Sequence, residues 1–340
     1  MINCRIAVIV WLVGTYVHAA VAAEAGGSPS TGAGSITTAE GCTIWPVSPH
    51  LGATAKWDGT CTDGRATGSG TFILRWAGHE ERYTGEMRDG KANGAGSFGF
   101  VGGNRYDGAW RDGMANGQGT LAIADGGRYQ GTWLNGKATG QGTFTWPNGS
   151  HYVGEWLDNI RSGHGILTTK AGDRYEGEWR DGKENGQGVF VWASGDRYEG
   201  RWLDGKRSAH GHMTFAKGGD YDGEWRDDKM EGDGVRTWLN GDRYEGGWND
   251  NARTGQGTET FANGDIYYGL WMNDLRNGEG SMRFGNGARY AGGWKNGMAD
   301  GTGTYAWSDG KEVSGAWKNG CFRIDGRVSA SVGVQPDACH

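Results

Sequence analysis

The sequence lacks the short motifs that mark the commonest catalytic sites. It has no G-x-S-x-G elbow, no H-E-x-x-H and no P-loop. No C-x-x-C pair is present, so its cysteines lack the usual zinc spacing. No basic cluster occurs either. With 34 Lys and Arg against 40 Asp and Glu, the net charge is −6. That balance excludes nonspecific nucleic-acid binding as a main role and weakens attraction to anionic headgroups. After residue 23, no apolar run is long enough to span a bilayer. What remains is glycine, 68 of 340 residues, and a regular scatter of aromatic residues.

The glycines are periodic, which argues against a disordered chain. Tyr recurs every 23 residues at positions 83, 106, 129, 152, 175, 198, 221, 244, 267 and 290. Val313 takes the next place, and a looser copy begins at Trp57. Each copy carries two turn signals, such as Asp181-Gly182 and Ser194-Gly195, whose chemistry supplies positive φ. Between the turns the residues alternate. Tyr175, Gly177 and Trp179 share one side, and Gly188, Phe190 and Trp192 continue it on the second strand. Each copy therefore reads as a β-hairpin. The predicted fold is all-β: an elongated single-layer antiparallel sheet of about eleven stacked hairpins, a 23-residue repeat solenoid.

Such a sheet needs a core. The aromatic face carries Tyr83 and then Trp110, Trp133, Trp156, Trp179, Trp202, Trp225, Trp248, Trp271, Trp294 and Trp317. The same face carries columns of glycine over which a ring can lie flat, and we expect these tryptophans over glycines to form the core. Burying each ring contributes roughly 1.5–3 kcal/mol.

The pattern Y-x-G-x-W-x-x-G followed by G-x-G resembles the MORN repeat (membrane occupation and recognition nexus), from Trp57 to about Gly320. The resemblance implies a twisted, gutter-like sheet and a scaffold role, often with dimerisation. It also implies an ability to bind phospholipids. Some relatives are fused to kinase or methyltransferase domains, for which this chain has no room.

The chain divides into a signal peptide (1–23), a flexible linker (24–41), an N-terminal cap with a degenerate repeat (42–82), the array (83–320) and a C-terminal cap or tail (321–340). Residues 1–23 have Arg5, an apolar core from Ile6 and a small-residue cleavage site at Ala20-Val21-Ala22; an uncleaved anchor is the alternative. Export to the periplasm or cell exterior would place Cys42, Cys61, Cys321 and Cys339 where disulfides persist. Three pairings are open, and position favours Cys42–Cys61 and Cys321–Cys339, one at each end of the array.

Two departures from the repeat are candidate sites. Arg236 and Glu259 stand where other copies have Phe, Leu or Met. They are a half-buried pair, a recognition spot in the groove, or, as we favour, long side chains whose ends reach a solvated edge. His210 and His212 share a strand face but lack an evident third ligand, so no metal is assigned. No cofactor, catalytic residue or small-molecule substrate is expected. The expected function is a non-enzymatic exported scaffold for protein partners, including a second copy of itself. Lipid binding is the alternative, and glycan binding through the aromatic groove is the third reading.

Overall fold

The computed structural model describes residues 34–324, 327–335 and 338–339. The expected signal peptide and the first part of the linker lie outside the described residues. The chain divides into two compact units, 1–186 and 187–340. The division falls within one strand, Lys183–Val191. Each unit is an open antiparallel sheet of stacked hairpins, as the repeat requires. Among the described residues there is no helix long and apolar enough to cross a membrane.

In the first unit, the hairpin formed by Arg128–Leu134 and Lys137–Thr145 shows the local rules. Asn135 (φ 49°) and Gly136 (φ 78°) both take the left-handed conformation that a tight hairpin needs. The second turn differs from expectation. Only Gly149 is left-handed there, while the Asn148 side chain accepts a hydrogen bond from the Ser150 amide at 2.9 Å. The register shifts by a bulge between Gly131 and Thr132, opposite the left-handed Gly140. The next copy pairs in turn, with Gly142 facing Gly154 and Phe144 facing Tyr152.

The core corrects one expectation. In the regular copies tyrosine, not tryptophan, lies over the glycines, whereas in the degenerate first copy Trp57 does lie over Gly59 and Gly70. A methyl group on Gly142 would stand 2.3 Å from the Tyr129 hydroxyl and 2.6 Å from its Cζ. The hydroxyl reaches past the glycines and donates to the Thr132 carbonyl at 3.2 Å. Trp133 stands edge-on between two such rings, with centroids 5.3 Å from Tyr106 and 5.1 Å from Tyr129. Its indole N–H donates to the Gly119 carbonyl at 3.3 Å. Tyr129 is fully buried and Trp133 is 2% exposed. A single layer thus makes a dry core by interleaving rings at right angles.

The N-terminal cap begins earlier than expected. Ile36–Thr37, inside the stretch expected to be linker, pairs with Thr43–Ile44, and Thr38 Oγ1 accepts from the Cys42 amide at 3.2 Å. Cys42 and Cys61 form a disulfide. Glu81 is buried in this cap, where Ser48 donates to it and His50 lies 3.7 Å away.

In the second unit, hairpins run from Arg197–Leu203 to the last array strand, Glu312–Trp317. They repeat the same packing; Tyr244 lies between Trp248 and Trp271 at 5.2 and 5.3 Å. The tail caps the end. Cys321–Ile324 pairs with Arg327–Ser331, and Cys321 is bonded to Cys339. Val313 supplies no ring for the last copy, and Phe322 covers its glycine instead. A Cβ on Gly315 would lie 2.9 Å from Phe322.

Candidate functional site

The tyrosine that opens each copy and the tryptophan four residues after it are sealed into the core, so a ligand on this face would touch other side chains. Burial pushes the hydroxyls of the tyrosines that open the copies well above their ordinary pKa, Tyr290 to about 12, so they stay neutral. The residue 17 positions after each Tyr is only half-buried in the second unit, as at Phe215, Trp238, Phe261, Phe284 and Trp307. The residue nine positions after Tyr is Ala in four copies, Ala92, Ala115, Ala138 and Ala299, but Arg in four others. The repeat signature does not mark these arginines, although simple alternation along the second strand places them on the aromatic face.

Each guanidinium lies over the Trp of the following copy. Arg161 is 4.1 Å from the Trp179 centroid in the first unit. In the second, Arg207 is 4.2 Å from Trp225, Arg253 is 4.1 Å from Trp271 and Arg276 is 4.8 Å from Trp294. Arg161 is 2% exposed and donates to the Gly182 carbonyl at 2.6 Å. Burial pulls its pKa down to about 10, with Glu184 pushing back. Its role is structural.

The functional candidate lies in the second unit. An open cleft of about 670 Å³ is lined by Trp238, Leu239, Asn240, Asp242, Arg253 and Glu259. Arg253 is its centre. Nη1 donates to Glu259 at 2.5 Å, and Nε to Asp274 at 3.2 Å. Its guanidinium stands 5.7 Å from the Trp238 ring on the cleft wall. Burial raises the Glu259 carboxyl above its ordinary pKa, against the attraction of Arg253. Asp242 is committed to its turn, accepting from the Ala262 amide at 2.8 Å and from the Asn240 side chain at 2.7 Å.

Arg236 and Glu259 therefore do not pair with each other. Both flank Tyr244, one on each neighbouring strand. Glu259 is 8% exposed rather than carried to a solvated edge, because Arg253 meets it in the groove. Arg236 stacks 3.7 Å over Phe215, and its Nη1 is shut off from solvent with no acceptor among the described residues. Burial holds its pKa below the ordinary arginine range.

His210 and His212 lie on the opposite, exposed face. Both turn to Asp222, at 2.9 and 3.4 Å. Asp222 is a third polar group that linear spacing hid, but no set of three such groups among the described residues is arranged to hold a metal.

Ten consecutive matches to the MORN repeat model run from residue 83 to 312, each opening on the tyrosine that lies over the glycines. The chain belongs to the MORN repeat family. No curated protein matches this MORN chain. Among solved structures, it is similar to the TCP10 domain of Danio rerio CPAP in complex with a peptide of STIL, at 9% identity and TM-score 0.36, covering 66% of this chain and 96% of that one. It is also similar to the SAS-4 TCP domain of Drosophila melanogaster in complex with a proline rich motif of Ana2, at 14% identity, TM-score 0.30 and coverages of 52% and 90%. A third likeness is virginiamycin B lyase from Staphylococcus aureus, at 12% identity, TM-score 0.14 and coverages of 76% and 98%. At those scores the three likenesses carry no functional argument.

Proposed function

We propose that this MORN protein is a non-enzymatic, exported scaffold whose second unit binds protein partners on its aromatic face. The observation that carries this reading is the cleft at Trp238. It joins a half-buried ring, an exposed Leu239 and a fixed ion pair, Arg253–Glu259, on one surface. Such a mixture of apolar contact and oriented charge suits a protein segment. A bilayer surface would instead call for clustered cations, whereas the chain carries a net charge of −6. The two disulfides suit an oxidising compartment and support export.

The test is photo-crosslinking in the native host, with a benzophenone amino acid at position 239 and, as control, at the exposed Leu157 of the first unit. A discrete protein adduct from position 239, absent from position 157, is expected. If irradiation yields no adduct, or the same smear from both positions, the scaffold reading is wrong.

A further inference from the structure

Outside its core, the second unit carries a second row of rings, one per copy at the place 17 residues after the Tyr: Phe215, Trp238, Phe261, Phe284 and Trp307. Each is half-buried, and as equivalent places in successive copies they follow one another across the strands. One polar group sets this row apart from the core. Every core tryptophan from Trp110 to Trp317 donates its indole N–H to a glycine carbonyl of the preceding copy, as Trp225 does to Gly211 at 3.0 Å. The indole N–H of Trp238 has no acceptor among the described residues, and its ring walls the open cleft.

The charges of this face are compensated within it. Arg207 meets Asp228 at 3.1 Å, and Arg253 meets Glu259 and Asp274. Arg236 is faced by Asp220, and Arg276 by Glu259 and Asp265. A charged segment would have to break these pairings, so the complementary occupant is uncharged where it crosses the rings.

The ring spacing narrows the conformation of that occupant. The Arg236 guanidinium lies 3.7 Å from the Phe215 centroid and 5.7 Å from the Trp238 centroid. Those distances cap the separation of the two rings at about 9.4 Å, close to two strand spacings of about 4.8 Å each. A polyproline II segment turns once in three residues and advances about 3.1 Å per residue, so the same face returns every ~9.3 Å. A β-strand returns the same face after about 6.7 Å and an α-helix after about 5.4 Å, and neither fits. Polyproline II also makes no internal hydrogen bonds, which leaves its carbonyls free to accept.

We infer that the occupant of this face is an uncharged polyproline II segment of a partner protein, with prolines three residues apart (Pro-x-x-Pro) resting on Phe215 and Trp238 and a backbone carbonyl accepting from the Trp238 indole. This rests on the protein-binding reading above. Proline suits the contact because its ring packs flat on an aromatic ring and its fixed φ lowers the entropy lost on binding. The exposed Leu239 beside Trp238 adds an apolar wall.

The test uses the purified protein and three fluorescein-labelled peptides followed by anisotropy. The first is Pro-Gln-Ala-Pro-Gln-Ala-Pro, with proline at every third residue. The second has the same composition with its prolines adjacent, and the third has glycine in place of each proline. The first should bind roughly tenfold more tightly than either control, and equally well at low and high salt. Trp238→Leu should remove that preference. Trp238→Phe, which keeps a ring but has no N–H, should weaken binding of the first peptide several-fold. Both variants should melt within a few degrees of the parent, because Trp238 is only half-buried. Equal binding of all three peptides overturns the inference. So do binding of none, a preference that survives Trp238→Leu, an affinity untouched by Trp238→Phe, or one that collapses with salt. These failures are separable from failure of the scaffold reading. A partner crosslinked at position 239 through a segment without Pro-x-x-Pro sinks only the inference; absence of any partner sinks the reading beneath it.

Discussion

Replacing Gly142 by alanine tests how a single layer keeps its core dry. The new methyl would stand 2.3 Å from the Tyr129 hydroxyl, 2.6 Å from Cζ and 2.7 Å from Cε2. All three neighbours belong to one ring, so the ring itself must move. Overpacking of this kind costs about 1–3 kcal/mol. Displacing the hydroxyl also breaks its bond to the Thr132 carbonyl, worth about 0.5–1.5 kcal/mol. Alanine in a strand is otherwise favoured over glycine by roughly 0.5–1 kcal/mol, so Gly142→Ala should destabilise by a net of about 0.5–4 kcal/mol. The decisive measurement is a double-mutant cycle with Tyr129→Ala. Urea unfolding followed by tryptophan fluorescence gives the free energies, and hydrogen exchange of amides in Lys137–Thr145 confines the effect to this hairpin. Once the ring is gone, the added methyl should be neutral or slightly stabilising. A Gly142→Ala penalty of the same size in both backgrounds would refute the ring-over-glycine account.

Three further outcomes follow from particular residues. Ala209 holds a left-handed φ of 50° where every other copy has glycine, so Ala209→Gly should stabilise by roughly 1 kcal/mol; a lower urea midpoint would contradict this. Burial raises the Glu259 carboxyl above 4.5, so its contribution to folding is most favourable at lower pH and is lost as pH rises through its elevated native value. The stability of the parent relative to Glu259→Gln should accordingly fall between pH 4.5 and neutrality, and a rise over that range would show that attraction to Arg253 dominates instead. The Cys321–Cys339 disulfide closes a loop of sequence separation 18, so Cys339→Ser should cost about 3 kcal/mol at the end of the array. Faster amide exchange in Glu312–Trp317 reports it, and unchanged protection would show that Phe322 alone suffices as a cap.

The sequence by itself determined the hairpin period, the strand faces and the positive-φ turn at pairs such as Asn135-Gly136, and it favoured, among three open pairings, the one cysteine pair at each end that the structure forms. These depend on neighbours in the chain or on one repeat beside the next, and a 23-residue period carries them through the array. Only the tertiary structure decided which ring covers which glycine. Tyr and Trp share a face by alternation, but the bulge after Gly131 sets the strand offset that lays Tyr129 across Gly142 and stands Trp133 on edge. Likewise, alternation puts Arg236, Glu259 and Arg253 on one side without saying which meets which. That is settled by where long, flexible side chains end in space. Arg253 reaches across its hairpin to Glu259, and Arg236 turns onto Phe215, where its Nη1 meets no acceptor among the described residues.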